Sequence, residues 1–452
     1  MYHEQEYVMD FISRAKAAQQ KFEQYSQEQV DLVVKTVAKT VYDHADMLAK
    51  VAVEETGMGV YQDKIIKNQS KARVIWNSLK DKKSVGIISR DEKTGITEVA
   101  KSMGVVAAIT PMTNPIVTPM SNAMFALKGR NAIIITPHHR AIKCSTLTVE
   151  LINDKLAKLG APENLIQILD VQSRENTKNL IENADVVIAT GGMGMVKASY
   201  RSGRPALGVG AGNVQCILDR DIDIPEAVSK IITGRAFDNG IICSGEQSAI
   251  IPEEQYDEVV MEFLKKGAHL VRDEERDSFR EVLFPQGEMN RGAIGQPVSK
   301  LAELARLDIP ESARVIIIKA ENSSDILGKE KMCPVLTLYP YKEFEEAVEI
   351  AAANLEMEGK GHSVAIHSNN AENIEYAGER LSVSRFVINQ TSATSAGGSF
   401  FNGLSPTNTL GCGSWGNNSI SENLDYKHLI NISRISYFMK DNKVPTDEEL
   451  WA

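Results

Sequence analysis

The strongest constraint on this chain is a series of short apolar runs in which β-branched residues follow one another almost without a break. Val105 to Ile109, Asn131 to Thr136 (NAIIIT), Leu165 to Leu169, Asp185 to Ala189 (DVVIA) and Val214 to Leu218 form a first series. Ser248 to Ile251, Val315 to Lys319 (VIIIK), Val335 to Leu338, His362 to His367 and Arg385 to Asn389 form a second. A strand with one wet face alternates apolar and polar side chains. Runs without that alternation must be covered on both faces, as in a parallel sheet flanked by helices. Helical segments do separate the runs. Cys144 to Leu159 is amphipathic and stops at Gly160, with Pro162 just beyond; Glu253 to Lys266 and Phe344 to Asn354 divide the second series. The pattern predicts an α/β chain, and 452 residues suffice for two large units or three ordinary ones.

The first sixty residues read as helices. Ser26 and Gln29 have capping-box spacing, and Val30, Val33, Val34, Val37 and Val41 then recur on one face. Asp10 to Phe22 is amphipathic and reads as the first structural helix, not as a signal. Two apolar stretches flank the polar segment 90–94, predicting a hairpin over 85–99; 429–438 (LINISRISYF) predicts a late strand. Ser392 to Ser421, rich in Gly, Ser, Thr and Asn, reads as too polar for core, either lining a site or lying on the surface. The net charge of −10 argues against a nucleic-acid or membrane binder, which needs a basic face. No run is long enough to span a membrane, so a cytoplasmic protein is expected. The five cysteines show no zinc spacing, so neither a metal site nor a disulfide framework is expected.

Several segments could carry chemistry. Cys243 lies in a glycine-bearing stretch, FDNGIICSGEQ, where a nucleophilic thiol would have backbone N–H donors close by; a buried inert thiol is the other reading. Cys144 opens a helix, Cys216 lies within an apolar strand, and Cys333 and Cys412 fall in loop-like stretches. Thr190, Gly191, Gly192 and Met193 form a strand–glycine–helix turn, which can present N–H groups to a phosphate or be an ordinary turn. His138, His139 and Arg140 follow the NAIIIT strand, where ligands sit in open α/β sheets. Asn114 follows another strand in TPMTNP and offers an amide.

In chain order, TPMTNP, NAIIITPHHRA, ATGGMGMVKASY, GVGAGN, GRAFDNGIICSGEQS, Glu330 to Val335 and NTLGCGSWGNNSISENLDYKHLINISRI resemble the aldehyde dehydrogenase superfamily. The likeness runs over nearly the whole chain and lies with the CoA-acylating branch, above all with succinate-semialdehyde dehydrogenases of anaerobic bacteria. It implies two parallel-sheet α/β domains, one Rossmann-like for cofactor and one catalytic, plus a small β oligomerisation element. The implied divisions are 1–220 for cofactor (with the hairpin 85–99 in the oligomerisation element), 221–400 for catalysis, and 401–452 for a return segment and terminal strand. It also implies a homodimer or higher homo-oligomer.

By the same resemblance, Cys243 is the nucleophile and Asn114 the oxyanion donor, although the common Pro-Trp-Asn form would put the amide at position 113. Thr110, Pro111, Thr113, Thr190, Gly191, Gly192, Met193, Gly210 and Glu330 meet the cofactor, with Glu330 on the nicotinamide ribose. His138, His139 and Arg140 meet the adenosine ribose, which favours NADP over NAD. Hydrolytic relatives carry a water-activating glutamate where this chain has Gly208, so coenzyme A is the implied acyl acceptor. The implied reaction converts succinate semialdehyde, CoA and NAD(P)+ to succinyl-CoA and NAD(P)H, reversibly. Arg201, Ser392 and Ser395 are candidates for the distal carboxylate, beside Lys197 and Arg204. The rivals are an acetaldehyde or propionaldehyde dehydrogenase of the same branch, a hydrolytic enzyme, and an inactive scaffold paralogue.

Overall fold

The structure, a computed structural model, describes residues 2–452. Helices Tyr2–Phe22, Gln27–Asp43, Ala45–Thr56 and Tyr61–Leu79 open the chain. Ser26 and Gln29 form the reciprocal capping box, and the five valines after it are all buried. The first helix buries Val8, Ile12, Ala15, Ala18 and Phe22, one stripe at helical spacing that packs into the first core. A hairpin follows, β1 (Gly86–Asp91) and β2 (Ile96–Ser102).

Next come β3 (Val105–Thr110), β4 (Ala132–Pro137), β5 (Ile166–Ile168), β6 (Val186–Ala189) and β7 (Ala206–Gly208). They form a parallel sheet in the order β5-β4-β3-β6-β7. The order reverses between β3 and β6, and ligands bind outside the carboxyl ends of strands at such a switch point. All residues of β3 and β4 are buried, as the missing alternation predicts.

The second sheet holds β8 (Gln215–Leu218), β9 (Ser248–Pro252), β10 (Ala268–Leu270), β11 (Val315–Lys319), β12 (Val335–Tyr341), β13 (Gly361–His367) and β14 (Val383–Ile388), in the order β10-β11-β12-β9-β8-β13-β14. It too is parallel. β15 (Ile430–Ser436) returns to pair antiparallel with β2 and completes a three-stranded sheet. β8 pairs with β9 and β13, so the expected first unit, 1–220, includes one strand of the second sheet. β7 (ALG) and β10 (AHL) were not foreseen, because neither carries the β-branched residues that announced the equally short β5.

The stretch 392–421 corrects its expectation. Ser392, Thr407, Thr409 and Cys412 are fully buried. Polar groups are tolerated inside when they find partners. The Thr409 and Thr190 hydroxyls pair at 2.8 Å, and Cys412 N–H donates to Asn418 Oδ1 at 2.9 Å. Among the described residues no helix is long and apolar enough to cross a membrane.

Candidate active site

A cavity of about 600 Å³ lies where the carboxyl ends of β3, β4 and β6 face the residues that lead into β9, β12 and β13. The first sheet contributes Thr110, Pro111, Thr113, His138, His139, Thr190, Gly191, Gly192 and Met193; the second contributes Cys243, Glu330, Met332 and His362. The turn 209–212 joins the sheets and forms part of the wall. A second cavity, about 110 Å³, is lined by Lys67, Ser70, Lys71, Ser244 and Thr394 among others. Cys243, Asn114, Asn408 and Leu410 line both. The thiol and the amide thus stand at the boundary of the two spaces.

Local backbone chemistry sets Cys243 there. Asp238 and Asn239 hold left-handed φ of 51° and 53°, a conformation costing roughly 1 kcal/mol or more for a residue with a side chain. Compensating contacts hold them. Asp238 accepts from Val60 N–H at 2.8 Å and from the ammonium groups of Lys64 and Lys67 at 3.0 and 2.5 Å; Asn239 Nδ2 donates to Gly295 O at 3.1 Å. From the other side, Gly212 packs on the Cys243 segment: a Cβ there would lie 1.9 Å from the Cys243 carbonyl oxygen. Only glycine permits that approach.

Burial pushes the Cys243 thiol up to about 12, with Glu330 and Cys412 adding to the shift and Arg385 and Lys71 opposing it. Burial thus favours the thiol form of Cys243. Burial raises Glu330 to about 8, helped by Glu358. Burial also keeps His362 neutral, at about 3. Lys71 donates to Gly397 O at 2.9 Å and Thr407 O at 3.2 Å, and burial lowers it to about 8. Cys144 and Cys216 are buried with thiols raised by desolvation, and neither lines these cavities.

The larger cavity suits a dinucleotide. The helix Met193–Arg201 starts at Gly192 with no side-chain cap, leaving its first N–H groups for a phosphate. The Thr110 hydroxyl is buried on the wall without a partner.

Six sequence candidates line neither cavity: Arg140, Lys197, Arg201, Arg204, Ser392 and Ser395. Arg140 is exposed and donates to Thr56 O at 3.0 Å. Arg201 is exposed at the far end of its helix. Ser392 and Ser395 are buried away from the cavities; Ser392 N–H binds Glu246, and Ser395 O accepts from Asn402 at 3.0 Å. Conversely, Ser173 and Arg174 line the larger cavity together with the histidines. These, His362, Lys67 and Lys71 escaped sequence reasoning. One signal was present: Lys64, Lys67 and Lys71 recur on one face of the Tyr61–Leu79 helix, and that face is turned inward, with Lys64 3% and Ile66 52% exposed.

The sequence profile of the aldehyde dehydrogenase family matches residues 2–282 and 313–428. The chain is 58% identical over 448 residues to a succinate-semialdehyde dehydrogenase (acetylating) of Clostridium kluyveri, covering 98% of this chain and 99% of that one. It is 41% identical over 454 residues to a sulfoacetaldehyde dehydrogenase of an Acholeplasma species, covering 98% and 93%. The crystal structure of an acetylating aldehyde dehydrogenase from Geobacillus thermoglucosidasius superposes with a TM-score of 0.94 at 36% identity, covering 99% of each chain.

Proposed function

Because the chain belongs to the aldehyde dehydrogenase family, we propose that it is a CoA-acylating enzyme that interconverts succinyl-CoA and succinate semialdehyde through a thioester on Cys243. The observation that carries this reading is the position of Cys243 between a dinucleotide-sized cavity and a small one lined by Lys71 and Lys67. The small cavity fits a short acyl chain, and the Lys71 ammonium suits a terminal carboxylate. The similarity to a sulfoacetaldehyde dehydrogenase, whose substrate name also denotes a terminal anion, fits the same view.

In the reductive direction the Cys243 sulfur attacks the thioester carbon of succinyl-CoA. Its proton ends on the departing CoA sulfur, which leaves as the thiol. The Asn114 amide and the Cys243 N–H donate to the oxyanion. A nicotinamide cofactor would supply the hydride. Glu330 would hold its nicotinamide ribose, and the Met193–Arg201 helix start its pyrophosphate. His138, His139 and Arg174 on the same cavity wall favour a 2′-phosphate, hence NADP. With Gly208 where a water-activating carboxylate would stand, the thioester persists for CoA. The exposed Ile435, Tyr437 and Phe438 at the end of β15 support assembly as a homodimer or larger homo-oligomer.

The test is a reductase assay with succinyl-CoA and acetyl-CoA, each with NADPH and NADH. Succinyl-CoA with NADPH should give the highest kcat/KM. A preference for acetyl-CoA would sink the substrate assignment, and a preference for NADH the cofactor assignment.

A further inference from the structure

The ammonium of Lys67 reaches three acceptors: Asp238 Oδ2 at 2.5 Å, Asn114 Oδ1 at 3.0 Å and the Thr113 carbonyl at 3.5 Å. An ammonium has three N–H donors and no acceptor, so this set saturates it. The same fact fixes the Asn114 amide. Only its oxygen can face an ammonium, so its Nδ2 must point the other way. We propose that Lys67 is a positioning residue for this reaction: it locks the Asn114 amide with Nδ2 toward the Cys243 side and ties that amide, through Asp238, to the strained segment leading to Cys243. The inference rests on the reading of Asn114 as the oxyanion donor.

Two further observations support it. Lys67 is 7% exposed and Asp238 fully buried, so their contact is not a loose surface pair. Lys64 also binds Asp238, at 3.0 Å, but the contact to Asn114 belongs to Lys67. The hydrogen bond to a cation also polarises the amide, strengthening Nδ2 as a donor.

The experiment is a double-mutant cycle read by the rate of hydride transfer in a single turnover, with NADPH affinity measured in parallel. Asn114→Ala should slow hydride transfer by roughly 100-fold, the usual effect of losing one oxyanion donor. Lys67→Met should slow it by at least about tenfold with NADPH affinity kept, and should add little in the Asn114→Ala background, because coupled residues are not additive. If Asn114→Ala is as fast as the parent, the oxyanion reading itself fails. If Asn114→Ala is slow and Lys67→Met multiplies that loss in full, Lys67 does not act through the amide and the proposal is overturned. Lys64→Met, which weakens the Asp238 clamp alone, should cost less than a third of the Lys67→Met effect; an equal loss would also overturn it. Should Lys67→Met not fold, Lys67→Gln keeps a donor toward Asn114. It should retain most of the rate, and a loss matching Asn114→Ala would refute the positioning role.

Discussion

The Tyr200 hydroxyl accepts a hydrogen bond from the Gly208 N–H at 2.8 Å, and its ring fills the space a side chain at 208 would need. A Cβ on Gly208 would lie 2.9 Å from the Tyr200 ring and 2.7 Å from Val196. The missing carboxylate is thus built into the packing. Gly208→Glu should destabilise the protein by about 1–3 kcal/mol, as overpacking does, without creating a hydrolase. Thermal unfolding and a free-succinate assay check this; steady acid release without CoA would show that position 208 alone separates the two chemistries.

Cys243→Ala should abolish turnover in both directions while leaving NADPH affinity unchanged, measured by fluorescence titration. In the parent enzyme, leaving out CoA should halt aldehyde oxidation after about one NADPH per site, the burst of an accumulating acyl-enzyme. Continued NADPH formation would contradict the acylating assignment.

Lys71 offers the cation nearest in kind to what a terminal carboxylate requires, and its ammonium still has a donor beyond its two carbonyl partners. Lys71→Met should raise KM for succinyl-CoA by roughly 10- to 100-fold, the worth of a hydrogen bond to a charged group. KM for acetyl-CoA, which has no distal charge, should move far less. Equal shifts for the two substrates would mean that Lys71 only supports the loop.

Glu330 titrates near 8 because burial and Glu358 disfavour its charge. Its value in an unfolded chain is about 4.3, so between these limits the folded form holds the extra proton. Its contribution to stability is complete at low pH and is lost as pH rises through about 8. A carboxylate accepts hydrogen bonds from ribose hydroxyls better than a carboxylic acid does. NADPH affinity should therefore strengthen as pH rises through about 8. Glu330→Gln should flatten both dependences. Titrations across this range decide it; an unchanged profile in the variant would remove Glu330 from the cofactor site.

Much of this was determined by the sequence alone. Unbroken runs such as NAIIIT must be covered on both faces, so both parallel sheets were legible, and β3 and β4 are buried throughout. The glycine-bearing segment around Cys243 and the motif order set the family. What local pattern could not determine is anything fixed by approach between distant residues. Lys67 meets Asn114 across 47 positions and Asp238 across 171, and no local periodicity encodes such separations. The polar stretch 392–421 is buried because its partners come from elsewhere, as Thr409 finds Thr190. Arg140 turns away to Thr56, and Arg174 lines the cavity instead. Solvation preferences act residue by residue and can be read along the chain. Saturating an ammonium, aiming an amide or closing a cavity needs partners that only the folded chain brings within hydrogen-bonding distance.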